Sequence, residues 1–572
     1  MPVVYQEFYR YRERNRAEDG GLRHYRTCAA GNVAGKKIIN EEGNMDLTKD
    51  AYRALEDVVG PENISQDTAT RDSYNQVWGN KLVFGEKWSN QPAAVLMPET
   101  TEEVQSIVRV CNRHKISFKP FSSGFEIMST ALASENAIIL DLKRMNRILD
   151  IDVKNMHAVV EPYVSVYRLE MELAKYGLYI GTISAGPEAG VIASHCCHFG
   201  SGSTQVYAGG LGRNVLGCEW VLPTGEIVRM GSAEAGSGWY SADGPGFSLR
   251  GILRGHSGAN GGHGVITKCS AKLYHWYGPP EWELKGSPPA VKRLEKVPDG
   301  FKSFVPTFAT RDDAYDALRE VGQAEIGFSV MMLIGGEMCE GNDEFWEMFQ
   351  KVNPEEMQRL AHSLLVVIGA NTTREMEYRE RCLHKIVDKW HGQFLPPLND
   401  PQYLALRFAL MVWSIGTVRE TFRPCSEFFI TPCTDATEDM IKIQNTAAVE
   451  RLKPYVQRGV IMQPGSVPFH LPYENYSVGS HIETIILFDP YNDNSLQGVR
   501  EWTAETFDPK GKFSKFGVPC LGGGLQIEPV SHVVQNWGPV YDNYDVWLRK
   551  IKDALDPNNL GDWSAYVPPV FP

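Results

Sequence analysis

The sequence predicts an α+β fold divided into at least two domains, on three observations. The chain has 572 residues, more than one hydrophobic core ordinarily organises. From Ala93 to Tyr274 short apolar runs alternate with amphipathic stretches and glycine-rich loops. Beyond Pro279-Pro280 the texture changes to strands such as FSVMMLIG, SLLVVIG and ETIILF, mixed with the charged helical stretch REMEYRERCLHKIVDKW.

The elements follow in order. Residues 1–46 carry no apolar period and read as an N-terminal arm lying across the chain's own surface or a neighbouring subunit. A helical stretch runs from Asp46 to Gln76, with Leu55, Val58 and Val59 as its buried stripe. The first α/β unit opens at Pro92 with the strand AAVLM. Thr100-x-x-Glu103 then forms a capping box, followed by Val104, Ile107, Val108 and Cys111 at helical spacing. Residues 116–120, 137–142 and 157–162 read as strands. A second helix carries Leu169, Leu173 and Ala174 and stops at Gly177. CEWVLPTGEIVRMG is a hairpin turning at Pro223-Thr224-Gly225. The next strand, 265–273, puts Val265, Thr267, Cys269, Ala271 and Leu273 on one face by simple alternation. The last helix, Tyr544–Leu555, buries Val546, Leu548, Ile551 and Leu555 and ends at Asp556-Pro557.

Composition narrows the function. A net charge of -13 argues against a nucleic-acid groove. No apolar run reaches the roughly 18 residues of a membrane span. The charged N-terminus lacks the apolar core of a secretory signal. Eleven cysteines, odd in number and irregularly spaced, do not read as a disulfide framework, so a cytoplasmic location is expected.

Fifty-three glycines raise the question of a bound nucleotide. A G-x-G-x-x-G turn fails at Gly200-Ser201-Gly202 because Gln205 holds the third position, and the spacing from Gly31 to Lys37 does not fit a phosphate loop. What remains is a ligand held along its length by backbone groups from several loops: Phe121-Ser122-Ser123-Gly124, the GPEAG segment, and the run FGSGSTQVYAGGLGRN.

In this order, and with the chain end KDALDPNNL, these segments resemble the vanillyl-alcohol oxidase / para-cresol methylhydroxylase family of FAD-linked oxidoreductases. The resemblance implies a two-subdomain FAD-binding domain over residues 47–280, a cap (substrate) domain over 281–500, and a C-terminal segment, 501–572, that completes the FAD domain. It implies FAD contacts from Pro120, Phe121, Ser122, Ser123, Gly124 and Phe125 in the first loop. Pro187, Glu188, Gly190 and Ser194 would follow in the second, Gly200 and Gly202 in the glycine run, and Gly264, Val265 and Ile266 on the last strand. The commonest covalent attachment slot holds Phe125-Glu126, so non-covalent FAD is expected. His481, near the place of the family's cap-domain histidine, is the candidate if the link is covalent.

For chemistry, Glu188 matches a carboxylate that lies near flavin N5 in phenol-oxidising members, as base or as electrostatic tuner. Its plain alternative is a solvated loop glutamate. Tyr541, in NWGPVYDNY, matches a substrate-binding tyrosine, but Asp542 stands where the family has an arginine. A simple phenolate clamp is therefore incomplete, and a hydroxyl donating to Asp542 or a basic substrate fits better. His195-Cys196-Cys197-His198 invites a metal. In an extended segment at most two of the four side chains converge and no second cluster supplies the rest, so none is expected; these residues could instead face the flavin ring. His470, Tyr473 and Tyr476 are further pocket candidates.

The expected activity is hydride transfer from a small, aromatic or phenolic, alcohol or activated C–H substrate to FAD. Oxygen or an electron-accepting protein would reoxidise it, in a homodimer or larger homo-oligomer. The alternatives are a 2-hydroxy-acid dehydrogenase, with Arg213, Arg407 or Arg423 to hold a carboxylate, an alkyl-glycerone-phosphate-synthase-like enzyme, or a flavin-free binding protein.

Overall fold

Two sheets of opposite strand sense build the N-terminal half of the molecule. The computed structural model describes residues 47–74, 91–124, 137–181, 188–197, 200, 202–233, 235–239, 241, 243, 248–253, 262–281, 283–285, 294–332, 359–360, 362–413, 428–461, 468–472, 480–489, 491–506, 508, 510–511 and 543–562. The 1–46 arm, Phe125, Pro187, His198, Arg423, Tyr473, Tyr476, Tyr541 and Asp542 lie outside the described residues.

The expected 46–76 helical stretch is broken. Helix α1 (Lys49–Val59) ends at Gly60, whose φ of +83° and following Pro61 stop it. Strand β1 (Ile64–Ser65) and α2 (Thr68–Ser73), capped by Asp67, follow. The first sheet has the order β1-β2-β4-β3, with β2 (Ala94–Leu96), β3 (Phe118–Phe121) and β4 (Ile138–Asp141) parallel. Helix α3 (Thr101–His114) crosses between β2 and β3, and Thr100 caps it through the Glu103 N–H. The Glu103 carboxylate reaches one residue further back than a standard box, accepting from the Glu99 N–H at 2.8 Å. Val104, Ile107, Val108 and Cys111 are fully buried against α1 and the sheet.

The second sheet is antiparallel, in the order β5-β6-β10-β8-β9. Its strands are β5 (Ile148–Asp152), β6 (His157–Val160), β8 (Val215–Val221), β9 (Ile227–Arg229) and β10 (Val265–Lys272). Helix α4 (Val166–Ala174) packs into its core and strand β7 (Leu178–Tyr179) follows. Gly177, at φ +69°, ends the helical turn as expected. The β8–β9 hairpin turns at Gly225, φ +85°.

The single-face reading of β10 is corrected. Its pairing to β8 shifts between Ile266 and Lys268, so the alternation slips by one. Val265 enters the core of the first sheet, whereas Ile266, Cys269, Ala271 and Leu273 enter that of the second. One strand thus feeds both cores.

Two segments complete this half. Residues 193–197 form a π-helical turn, and α5 (Gln205–Ala208) lies within the glycine run. Strand β11 (Tyr274–His275) pairs with β7.

The cap contains a sheet of β12 (Phe301–Phe304), β15 (Leu364–Gly369) and β14 (Ser329–Met332), and a small pair of β13 (Pro306–Thr307) with β16 (Gln393–Phe394). Helices α6 (Arg311–Gln323), α7 (Thr373–Lys389) and α8 (Pro401–Val412) pack around them. A second cap sheet has the order β17-β19-β18, formed by β17 (Phe428–Ala436), β18 (Pro468–Pro472) and β19 (Ser480–Leu487). His481 lies inside β19, not before it. Helix α9 (Glu438–Gln457) packs on α10 (Asp493–Thr506). The expected boundary at 500/501 falls within α10, because Val499 and Trp502 share one apolar cluster with Leu452 and Ile486.

The last helix, α11, spans Tyr544–Leu555. Its expected apolar stripe is corrected: Val546 and Ile551 are exposed, Leu548 and Leu555 half-buried, and among the described side chains of the helix the buried one is Lys552. At 3.6 residues per turn, Val546 and Leu548 point about 200° apart, so one stripe could not hold both. Beyond α11 the chain returns to the first sheet. The Phe118 N–H donates to Leu560 O at 3.0 Å and the Asp562 N–H to Phe118 O at 2.8 Å.

Candidate functional site

The first predicted loop leaves the carboxyl end of β3. In open α/β sheets ligands gather outside the carboxyl ends of parallel strands. Pro120 is tolerated there because β3 is an edge strand, where a missing N–H breaks no interior ladder. Ser122, Ser123 and Gly124 are half-buried. Gly124 has φ +66°, and a Cβ would lie 2.3 Å from the tip of its neighbour Phe121. Glycine is therefore required by the turn and by the Phe121 ring, before any ligand is considered.

The second loop meets the first. A Cβ on Gly190 would sit 2.8 Å from Pro162 O and 3.3 Å from Ser122 Oγ, so glycine lets this backbone lie against that of Pro162 with the Ser122 side chain alongside. The Ser194 hydroxyl donates to Gly190 O at 2.8 Å, and Ser194 O accepts from the Gly200 N–H at 3.0 Å. Gly202 is turned by Gln205, whose side-chain oxygen accepts the Gly202 N–H at 3.3 Å. Ser122, Gly190, Ser194 and Gly200 thus form one chain of neighbours. Glu188 is exposed, and its charge ranks behind burial and Glu170 in raising the Tyr167 phenol pKa.

Gly264, at φ +104°, approaches the end of β8 so closely that a Cβ would lie 2.2 Å from Val221 O. Val265 and Ile266 bury their side chains in opposite cores, leaving their backbones as the groups available to a ligand.

Two features escaped the sequence. At the carboxyl edge beside the first loop, the Tyr74 hydroxyl donates to Asp141, Lys143 Nζ pairs with Asp141 at 3.0 Å, and the Tyr74 ring meets Phe121 edge-on at 5.0 Å. Burial first, then the Asp141 hydrogen bond, pushes the Tyr74 phenol well up. The only sequence signal was an aspartate closing the strand IILD. The second feature is a seam joining the glycine run to the cap. Ser203 Oγ donates to Met411 O at 2.8 Å, the Ser329 hydroxyl donates to Ser203 Oγ at 2.8 Å, and the Val330 N–H donates to Ser203 O at 2.9 Å. Around it Tyr179, Tyr207, Trp276, Phe301, Phe328 and Trp413 stack at centroid distances such as 4.9 Å for Tyr207–Phe328 and 5.2 Å for Trp276–Trp413.

The His195-Cys196-Cys197 segment is helical rather than extended. Cys196 packs into the second core with its Sγ 3.5 Å from Cys269 Sγ. His195 is buried with Nδ1 at 2.9 Å from Val191 O, and burial pulls its pKa down to about 4. Among the described residues no group of three or more His, Cys, Asp or Glu side chains is placed to hold a metal. His481 is buried opposite Asp435 and Leu471, while its neighbour Ile482 shares a cluster with Val206 of α5. His470 lies on β18, paired with Ile482. Arg213 lies just before β8, and Arg407 is buried in α8.

These loops suit a long dinucleotide held by backbone groups. Gly124 turns the first loop at a positive φ, Gly190 lies where a missing side chain lets its backbone approach Pro162, and the first loop leaves the carboxyl edge of a parallel sheet.

Comparison with known proteins agrees. Residues 92–231 match a family described as FAD binding domain. The chain is 27% identical over 227 residues to glycolate oxidase subunit GlcD of Bacillus subtilis (strain 168), covering 40% of this chain and 45% of that protein. It is 29% identical over 241 residues to the mitochondrial D-lactate dehydrogenase [cytochrome] of Arabidopsis thaliana, covering 40% of each. The matches span less than half the length of either relative. In three dimensions the chain is similar to p-cresol methylhydroxylase with substrate bound, at a TM-score of 0.67 and 20% identity over 91% of this chain and 96% of that one. That likeness shows the fold: a two-subdomain FAD-binding domain of the p-cresol methylhydroxylase type with an α+β cap.

Proposed function

We propose that the protein is an FAD-dependent oxidoreductase acting on a small, aromatic or phenolic, alcohol or activated C–H substrate. The observation that carries the reading is the Ser203 seam, where the cap meets the glycine run of an FAD-binding domain beside a wall of stacked rings. When bound, FAD supplies a two-electron acceptor at N5. The protein's part is to orient the substrate and move a proton. Glu188, exposed on the second loop, receives or stabilises the proton; Tyr541 orients the substrate oxygen, with Asp542 accepting from a neutral hydroxyl or pairing with a basic group. Oxygen or an electron-accepting protein takes the electrons onward from a cytoplasmic homo-oligomer, and the FAD is held without a covalent bond. Among the described residues no helix is long and apolar enough to cross a membrane.

Anaerobic single-turnover bleaching of the flavin tests this. Glu188→Gln and Tyr541→Phe each slow reduction by about 10² through loss of a positioned proton-transfer or orienting group. Unchanged rates in both variants would remove these residues from the mechanism.

A second reading, oxidation of a 2-hydroxy acid, draws support from one observation. Arg407 is buried in α8 one turn before Met411, whose carbonyl takes the Ser203 hydroxyl. The acid-oxidising names of the two curated relatives point the same way. Bleaching by a 2-hydroxy acid but not by aromatic alcohols would replace the first reading with this one.

A further inference from the structure

The chain end carries a buried ionic cluster that the proposed chemistry does not use. Lys552 Nζ, 2% exposed, donates to Gly262 O, to Gly561 O at 2.8 Å and to Asp556. All three ammonium protons therefore have acceptors. Asp556 in turn accepts from the Leu560 N–H at 3.0 Å and the Gly561 N–H at 2.7 Å. Packing around the cluster is close: a Cβ on Gly561 would lie 2.8 Å from Gly262 O. A second buried pair, Lys119–Asp562 at 3.8 Å, ties the same segment to β3.

The two ends of the cluster are informative. Gly262 lies two residues before Gly264, where the last cofactor strand begins. Phe118 and Lys119, paired with residues 560–562, lie immediately before Pro120 and the first loop. These two backbone segments belong to different sheets, and besides the cluster they meet through the apolar packing of Phe118, Leu560 and Val265.

We infer that Lys552 and Asp556 are positioning residues for FAD: the C-terminal segment sets the spacing between the first loop and the Gly264 strand, and so sets cofactor affinity. The inference rests on the reading of these loops as the FAD site. Hydrogen bonds with three fixed acceptors have directions, so the cluster determines where the two segments lie, which apolar contact alone does not.

The test is FAD titration of the apoprotein by fluorescence quenching, alongside denaturant unfolding of the same FAD-free samples. Lys552→Met and Asp556→Asn each leave a buried partner exposed to imbalance and lower stability. The double variant K552M/D556N carries no charge at either position and regains much of that stability. Its dissociation constant for FAD nevertheless stays about 10-fold or more above wild type, since misplacement of binding groups is costly even in a folded protein. Recovery of both stability and FAD affinity would reduce the cluster to a structural role and overturn the inference. If the double variant does not fold, Lys552→Arg takes its place. It keeps the charge, but its larger planar fork does not reproduce the placement of a compact ammonium among those acceptors, and an FAD affinity within twofold of wild type would overturn the inference. A wild-type apoprotein that fails to take up FAD would instead overturn the site reading itself.

Discussion

Helix α3 packs on the first sheet and helix α11 leads into the segment that pairs with its edge, and the two are held by different physics. Helix α3 buries Val104, Ile107, Val108 and Cys111 completely, against α1 and the strands. Helix α11 leaves Val546, Trp547 and Ile551 exposed and sinks a lysine instead. Apolar burial is strong but non-directional, so α3 supplies stability without dictating fine placement. A buried ammonium must find its acceptors, so α11 supplies placement at the risk of a large penalty if any partner is lost. The contrast accounts for the location of the ionic contacts, next to the segments that lead into the cofactor loops.

The largest expected effect lies on the α11 side. Asp556→Ala removes the carboxylate from Lys552 and the acceptor from two backbone N–H groups. Stability of the FAD-free protein should fall by about 3–5 kcal/mol, the range for breaking a buried pair. On the α3 side, Ile107→Ala should cost about 3 kcal/mol through lost transfer energy and a residual cavity. Urea unfolding of both variants measures the order. If Ile107→Ala proves the costlier, the ionic contacts are not what holds the chain end.

The two helices also differ in how much the sequence disclosed. The capping threonine and the apolar period of α3 are local, and its buried face came out as expected. The period of α11 gave its limits, Tyr544–Leu555, but not its inward face. Which side turns in was decided by Gly262 and Gly561, distant in sequence and silent in composition. The same holds for β10, where a bulge after Ile266 puts Val265 on the opposite face from Cys269, Ala271 and Leu273, a slip no alternation rule anticipates. At the expected cofactor loops, Gly124 holds a positive φ and Gly190 a close backbone approach, needs that glycine alone meets and that its place in a sequence can signal. Ser203 and the Tyr74–Asp141 pair were not legible, because ordinary polar residues gain their meaning only from partners brought in by the fold.

Acid sharpens the comparison further. His263 is buried near Lys552, and burial first, then the Lys552 charge, pulls its pKa from 6.5 to about 4. The unfolded chain therefore binds a proton between those values that the folded chain refuses. Stability is fully present above the ordinary histidine pKa and is lost as pH falls towards 4. Between pH 7.5 and pH 5 this single group should withdraw about 2 kcal/mol. His263→Asn removes the titration, so its stability loss over that interval should be smaller than wild type by about that amount. His195 titrates in both proteins and cancels. Equal losses in the two would mean that His263 is solvated in the folded protein.

The smallest effect belongs to the exposed face of α11. Ile551 is 37% exposed and Val546 47% exposed, so neither contributes a filled site to a core. Had the apolar period of this helix been its docking face, Ile551→Ser would open a cavity and cost several kcal/mol, as Ile107→Ala is expected to do. With Lys552 as the inward residue, Ile551→Ser should change the stability of the FAD-free protein by no more than about 0.5 kcal/mol, the ordinary range for a surface substitution. Denaturation midpoints at equal slope are the readout, since a changed slope would report on altered compactness instead. A loss above about 1.5 kcal/mol at unchanged slope would mean that this face is covered in the folded protein, and the contrast between the two helices would then rest on Lys552 alone.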